Sequence, residues 1–438
     1  MVYLPQLSTR AEYIFSLLIR DLLGAEMIVT DRREDYFSYP GPRLEYATEP
    51  SGEGIFIHSC GLLAEKSIQP HTIELFTFKN CPAFFPVHDD RSAFPFDLFA
   101  AAFYMVTRYE EYLSFVPDRF GRFRASDSIA TAGNFLTIPI VNLWTNFLKD
   151  HIRVVYPSIQ FREKKFRFVP TIDIDHAYAF KQRTFVRTLG GYGRSLMEGN
   201  LKKVAHRTNV LLGIEKDHYD QYDYIREIHS RFGLNPLYFV LFADYGKDDN
   251  NVTISSRTFH RLLRSLDDSG TTGIHPSLTS GKHPKVLHSE IRGLSKILGH
   301  EIGTSRQHFL KVSFPGTYHN LIKHGITDDY SLGYASSPGF SAGIADPFPF
   351  FDLVSNRSEQ LMLHPVALMD ATLKDYCKIS PEEAIVLIRS FMDTIKAVKG
   401  EFVSVWHNES FDETGRWKGW RKVYEDLLAY ADGMMKRE

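Results

Sequence analysis

Aspartate, histidine and arginine recur at one kind of place in this chain, directly after short apolar runs: Asp173 and Asp175, His275, Arg306 with His308, Asp329, His364 and His407. In extended chain, side chains two residues apart point the same way, so both carboxylates of Thr171-Ile172-Asp173-Ile174-Asp175-His176 can face one cavity. Two carboxylates that close call for a cation beside them. A divalent metal on Asp175 supplies that charge and leaves Asp173 free as a base towards water. The residues alone leave open an alternative, a strand end whose Asp175 caps the following helix.

His275 stands in Gly273-Ile274-His275-Pro276-Ser277, where Pro276 stops any helical continuation. Imidazole suits zinc and similar metals; a lone His before Pro is more often a hydrogen-bonded turn residue. His283 and His288 are alternative donors, although the lysines and polar residues around them suit solvent. In Ser305-Arg306-Gln307-His308-Phe309-Leu310, Arg306 is suited to hold a carboxylate base by paired hydrogen bonds. His308 is there either a further metal ligand or a structural residue. Leu361-Met362-Leu363-His364-Pro365 brings a second His-Pro to the end of an apolar run, from which an imidazolium can donate to a leaving amine.

These groups act together only if the chain gathers them. From Phe166 onward, strand candidates at Phe166–Ile172, Pro236–Phe242, Thr272–His275, Glu301–Ser305, Asp329–Gly333, Gln360–Leu363 and Phe402–Trp406 alternate with helical periods such as Lys285–Leu298 and Pro381–Val398. That alternation predicts a parallel sheet, open or closed as a barrel, and the chemistry-bearing residues fall at the carboxyl ends of its strands, where such folds build their sites. The chain before about residue 160 reads as a separate mixed α and β region. Thr9-Arg10-Ala11-Glu12 has the form of a capping box opening an amphipathic helix, and short strands precede a second helix over Pro95–Leu113 with a polar face at Arg108, Glu110 and Glu111.

Composition narrows the classes. Of 438 residues 43% are hydrophobic, enough for more than one core. The formal net charge is −2 with no block of like charge, which disfavours a nucleic-acid partner. Three widely spaced cysteines offer no thiolate metal site and read as reduced thiols. No run approaches the roughly 20 apolar residues of a membrane span, and the first apolar stretch does not look like a signal peptide. A cytoplasmic protein is the expectation.

Taken in order, the segment from about Phe166 to the C-terminus resembles the polysaccharide deacetylases, the NodB-like or carbohydrate esterase family four group. The resemblance implies a distorted seven-stranded (β/α) barrel at 161–438, preceded by a smaller α+β N-terminal domain at 1–160. Asp173-Ile174-Asp175 is similar to the family's first motif, implying Asp173 as general base and Asp175 as metal ligand. Gly273 to Ser277 is similar to the second, which implies His275 as ligand, and Ser305 to Phe309 to the third, whose Arg306 steadies the base. Asp328 to Tyr334 with Gly339-Phe340 resembles the fourth, and Leu361 to Pro365 the fifth, whose His364 is the general acid. The second motif ordinarily carries another His four residues on, where this chain has Thr279; His308 is the preferred substitute, with His283 behind it. Arg108-Tyr109-Glu110-Glu111-Tyr112 and Trp406-His407-Asn408 match a bacterial subgroup with an added N-terminal domain, in which an Arg is expected where Ser341 stands.

The resulting expectation is a divalent metal, most simply zinc, and hydrolysis of an N-acetyl group on an amino sugar of a polysaccharide or its lipid- or nucleotide-linked precursor. Phe309, Asp329, Tyr334, Phe340, Trp406 and His407 are expected around the sugar, aromatic rings stacking on it. The rival expectations are a metal amidohydrolase acting on a small amide and an inactive carbohydrate-binding homologue, the latter motivated by Thr279 and Ser341.

Overall fold

The computed structural model describes residues 1–246 and 248–436. Within the first region, β1 (Val2–Tyr3), β2 (Val29–Thr30), β3 (Leu44–Ala47) and β4 (Ile55–His58) form a four-stranded sheet in the order β2-β1-β3-β4, and a hairpin joins β5 (Phe76–Phe78) to β6 (Cys81–Ala83). Every pairing in the four-stranded sheet is parallel. Helices cross between β1, β2 and β3, so this region is α/β in character and not the α+β arrangement expected.

Its first helix begins one residue earlier than the capping box suggests: Ser8 caps it by accepting from Ala11 N, and Thr9 is already helical. The second helix covers Leu98–Val106, capped by Asp97. It stops because Arg108 turns left-handed (φ 55°), which sends the guanidinium inward. The predicted polar face is thus an interior ion pair, Arg108 with Glu111 at 2.8 Å.

The second region holds β7 (Arg167–Ile174), β8 (Leu237–Val240), β9 (Thr271–Ile274), β10 (Thr304–Ser305), β11 (Asp328–Asp329), β12 (Phe348–Asp352), β13 (Arg357–Leu363), β14 (Leu368–Met369) and β15 (Glu401–His407). They make a nine-stranded sheet ordered β12-β13-β11-β10-β9-β8-β7-β15-β14. All pairs are parallel except β12 with β13. Each of the seven predicted strands overlaps an observed one, though β10 keeps only Thr304–Ser305 of Glu301–Ser305 and β11 shares only Asp329 with Asp329–Gly333; β12 and β14 are additional. The sheet curls: residues between β13 and β14 bond to both sides, His364 N to Asp329 O, Val366 N to Leu332 O and Ala367 N to Val403 O. No closed ring of strands forms among the described residues.

Alternation decides what each face carries. Phe168, Ile172 and Ile174 belong to the main core beneath the helices. Val169, Leu237, Phe239, Val403 and Val405 pack on the other face with Tyr330, Val366 and Met369. Even steps put Asp173 and His407 on that second face at its C-terminal end, paired across the ladder, and Arg167 and Glu401 at its N-terminal end, also paired. The first region packs against β12, with the Tyr13 and Phe103 rings 4.9 and 5.1 Å from Phe351. No helix among the described residues is long and apolar enough to cross a membrane.

Candidate metal centre

Asp175 follows the end of β7, His275 the end of β9, and His308 the turn after β10, and their ligand atoms lie within 4.8 Å of one another. His275 Nε2 is 3.2 Å from Asp175 Oδ1 and His308 Nε2 is 3.6 Å from Asp175 Oδ2. The other nitrogen of each ring is engaged: His275 Nδ1 with the Arg306 carbonyl, His308 Nδ1 with Asp249 Oδ1 at 2.9 Å. Fixing Nδ1 in this way turns both Nε2 atoms on Asp175, whose Oδ1 is buried without a hydrogen-bond partner. Two imidazoles and one carboxylate with an open side suit a catalytic zinc-type ion, so the donor set fits the expected metal.

Charge at the centre is unbalanced without a cation. Burial opposes ionisation of Asp175, yet His308 and His275 hold it well below the usual carboxylate range. Burial likewise disfavours a charged His308, but Asp175 and Asp249 on either side push it up to about 9. A proton on His308 thus occupies the electrostatic place that a divalent ion would take.

Two oriented groups flank the cluster. Asp173 Oδ1 accepts from Arg306 Nη1 at 2.7 Å, and its Oδ2 faces His275 Nε2 at 4.0 Å. Arg306 is wholly buried, bonded also to Thr171 Oγ1 and Tyr330 O, with its guanidinium 4.5 Å over the Phe239 ring. On the other side His407 Nε2 is 3.7 Å from Asp175 Oδ2, while its Nδ1 bonds to the buried Asp370 at 2.8 Å. Asp370 is itself fixed by the His407 backbone N–H and the Ser410 hydroxyl. Burial opposes protonation of His407, but Asp370, with Asp175 and Asp173 behind it, holds the ring charged well above the ordinary imidazole range.

His364 is elsewhere. Its ring lies between Glu401 (Nδ1, 2.8 Å) and Asp328 (Nε2, 3.0 Å), stacked on Tyr330 with centroids 4.1 Å apart. Glu401 opens β15, whereas His407 ends it, so about 20 Å of strand separates His364's partner from the cluster. The expectation that His364 sits with the metal ligands as the acid is therefore corrected: both its nitrogens are taken, at the opposite end of the sheet.

The expected sugar contacts also change. Asp329 is fully buried and held by Ser305 and Ser331. Phe340 packs on Phe391, and Trp406 is buried against Phe411 and Tyr424. Tyr334 is buried too, its hydroxyl accepting from Arg108, though it borders a cavity of about 480 Å³ beside Leu310. Phe309 keeps a place at the site, stacked between His308 and Phe120. Of the alternative ligands, His283 is exposed at the start of the helix Pro284–Leu298 and outside the cluster. Thr279 bonds to Asp249, and the Ser341 carbonyl accepts from Arg108.

Sequence reasoning missed Asp249 and Asp370. Asp249 sits in an Asp-Asp-Asn-Asn run that reads as a solvated loop. Asp370 follows a two-residue strand too short to show alternation, although an apolar pair ending in Asp is the same signal that marked the other positions.

Comparison with known proteins covers the two regions separately. Residues 1–157 match a family model described as a family of unknown function, DUF7033. No curated protein matches. Among solved structures, a Mycobacterium smegmatis protein described as a polysaccharide deacetylase is 16% identical, with a TM-score of 0.40, covering 64% of this chain and 93% of its own. A Pseudomonas aeruginosa PAO1 protein described likewise is 9% identical, with a TM-score of 0.40, covering 62% and 86%. An allantoinase is 9% identical, with a TM-score of 0.41, covering 62% and 85%.

Proposed function

We propose that this chain is a metal-dependent hydrolase that removes the N-acetyl group from an amino sugar of a polysaccharide or of its lipid- or nucleotide-linked precursor. The observation that carries the reading is the convergence of Asp175, His275 and His308, flanked by the pairs Asp173–Arg306 and His407–Asp370. We read the curled sheet as a distorted barrel whose gap residues 364–367 fill, and residues 1–160 and 161–438 as two domains.

Asp175, His275 and His308 would hold a divalent ion, zinc being the natural choice for that donor set, and its chemistry there would be that of a Lewis acid towards the amide carbonyl and the attacking water. Asp173 takes the proton of the attacking water. Arg306 pins one of its oxygens and leaves Oδ2 turned to the cluster. As the new C–O bond forms and the C–N bond breaks, His407 gives its Nε2 proton to the departing amine. Asp370 on Nδ1 keeps that tautomer and direction. The products are acetate and a free amino sugar. Phe309 and Phe120 form an aromatic wall for the ring.

The test is release of acetate and free amine from N-acetylglucosamine oligomers by protein loaded with zinc or cobalt. Turnover that disappears in Asp173→Asn at unchanged metal content supports the reading. A protein that binds neither ion after addition, or an Asp173→Asn variant with full activity, overturns it.

A further inference from the structure

Between β7 and β8 the chain leaves Asp175-His176 and forms a helical hairpin, Phe185–Met197 and Leu201–Leu211, which neither the fold nor the proposed chemistry uses. The two helices pack on each other and on the segment before them: Gly191 lies against the Arg207 guanidinium, which sits 4.6 Å over the Phe180 ring, and Ser195, Arg207 and Val210 are buried. Its outward side is apolar. On the first helix Phe185 is 76% and Met197 90% exposed, with Val186, Leu189 and Leu196 beside them. At about 100° per residue these positions fall within an arc of about 120°. The second helix and its exit continue the stripe with Leu201, Leu212 and Ile214. A folded surface rarely leaves so many large apolar side chains together in water.

Charge accompanies the stripe. Between Lys181 and Lys216 there are eight Lys and Arg and two Glu, in a chain whose net charge is −2. The cations are spaced every few residues, which is why no charge block shows in the sequence. Arg187 and Arg194 both border one side of the first apolar arc, and Lys202 and Lys203 follow Leu201. At 13 and 11 residues the helices are about 20 and 17 Å long, too short to span the roughly 30 Å of a bilayer core. An apolar face bordered by cations on short helices is the pattern of elements that lie in the plane of an anionic lipid surface.

We infer that this hairpin docks the protein on the surface of an anionic phospholipid bilayer. Docking there places the metal centre at the lipid surface, because the hairpin and the centre share one end of the sheet. Arg187 stacks on Tyr245 at 4.2 Å and donates to Asn251 O at 2.9 Å, in the loop whose Asp249 orients His308. A substrate anchored in the bilayer would meet the site directly, a consequence that rests on the hydrolase reading, whereas the docking itself does not.

The experiment is co-sedimentation of the full chain with vesicles of phosphatidylcholine alone or mixed with phosphatidylglycerol. The expected result is binding to the mixed vesicles, weakened by salt, and little binding to phosphatidylcholine. Phe185→Ser with Met197→Ser, and separately Lys202→Glu with Lys203→Glu, should each lower the partition coefficient about tenfold or more at unchanged thermal midpoint. Absence of binding to the mixed vesicles, or variants that bind like the parent, overturns the inference. So does a self-association that the apolar variants abolish in a protein that ignores vesicles, since the occupant would then be a second copy. Acetate release, measured separately, keeps failure of the hydrolase reading distinct from failure of docking.

Discussion

Replacing His407 and His364 one at a time by Asn separates a proton donor from a structural histidine. A positioned general acid contributes about 10²–10⁴ in rate, so His407→Asn should lower kcat by that factor, roughly 3–5 kcal/mol of barrier. It also takes a charged hydrogen bond of about 1.5–3 kcal/mol from the buried Asp370, which keeps the residue-407 backbone N–H and the Ser410 hydroxyl. His364→Asn should cost stability alone. It withdraws one nitrogen from Asp328 and one from Glu401, leaving the buried Glu401 facing Arg167 at 3.4 Å, a side chain 68% exposed. The buried charged hydrogen bond to Glu401, about 1.5–3 kcal/mol, and a ring contact of about 1 kcal/mol set a loss of roughly 2–4 kcal/mol, the more exposed Asp328 bond adding little, with kcat unchanged. The assay is acetate release well below both unfolding midpoints, with metal content and denaturant midpoints measured on the same samples. A folded, metal-loaded His364→Asn with kcat down a hundredfold, beside a His407→Asn near parental activity, would refute the assignment.

Metal content should fall from about one ion per chain to near zero in Asp175→Asn or His308→Gln and stay unchanged in His283→Gln, read by elemental analysis after dialysis; retention in the first two would remove the centre. Glu290, buried and bonded to Ser277 beside the His275 loop, has its carboxyl pushed up to about 7 by burial. Because the folded pKa lies above the unfolded one, its favourable contribution is complete below about pH 4.5 and is lost as pH rises through 7, some 3 kcal/mol in all. Glu290→Gln should flatten the fall in denaturation midpoint between pH 5 and pH 8, and an unchanged slope would count against that origin. Arg122→Ala should weaken metal affinity about tenfold in chelator competition without unfolding the protein, since Arg122 donates to the Phe309 carbonyl next to His308; unchanged affinity would show that the turn holds itself.

Legibility of the sequence tracked the length of the elements. Long alternating strands such as β7 and β15 announced themselves, and with them Asp173, Asp175 and Trp406-His407, because alternation over seven or eight residues leaves one face in doubt only by its sign. β10, β11 and β14 each have two residues, so neither register nor depth along the sheet could be read from them. His364 and His407 both stand at the end of a seven-residue strand and look equivalent in the sequence, whereas the structure pairs one with Glu401 and the other with Asp370. The aromatic candidates failed for a related reason: type shows that Trp406 and Phe340 are large and apolar, not which side of a strand or loop they occupy. Depth came from pairings between distant segments, such as Asp370 with His407, and these leave no local trace.

The N-terminal region enters the site by the same kind of distant pairing. Phe309 and Leu310 are consecutive residues at φ 61° and 51°, a backbone that side chains other than glycine adopt only at a cost. This turn follows His308 directly, so the direction of that imidazole depends on the turn keeping its shape. Two contacts from outside the sheet hold it. Phe120 stacks on Phe309 at 4.7 Å, and Arg122, itself gripped by Asp118, donates to the Phe309 carbonyl at 2.6 Å. Arg108 does comparable work nearby, its guanidinium bonded to the Ser341 carbonyl and Tyr334 hydroxyl over Glu111. His308 is the nitrogen that completes the cluster with Asp175 and His275. His308 needs a strained turn, and the first 157 residues supply the side chains that stabilise it.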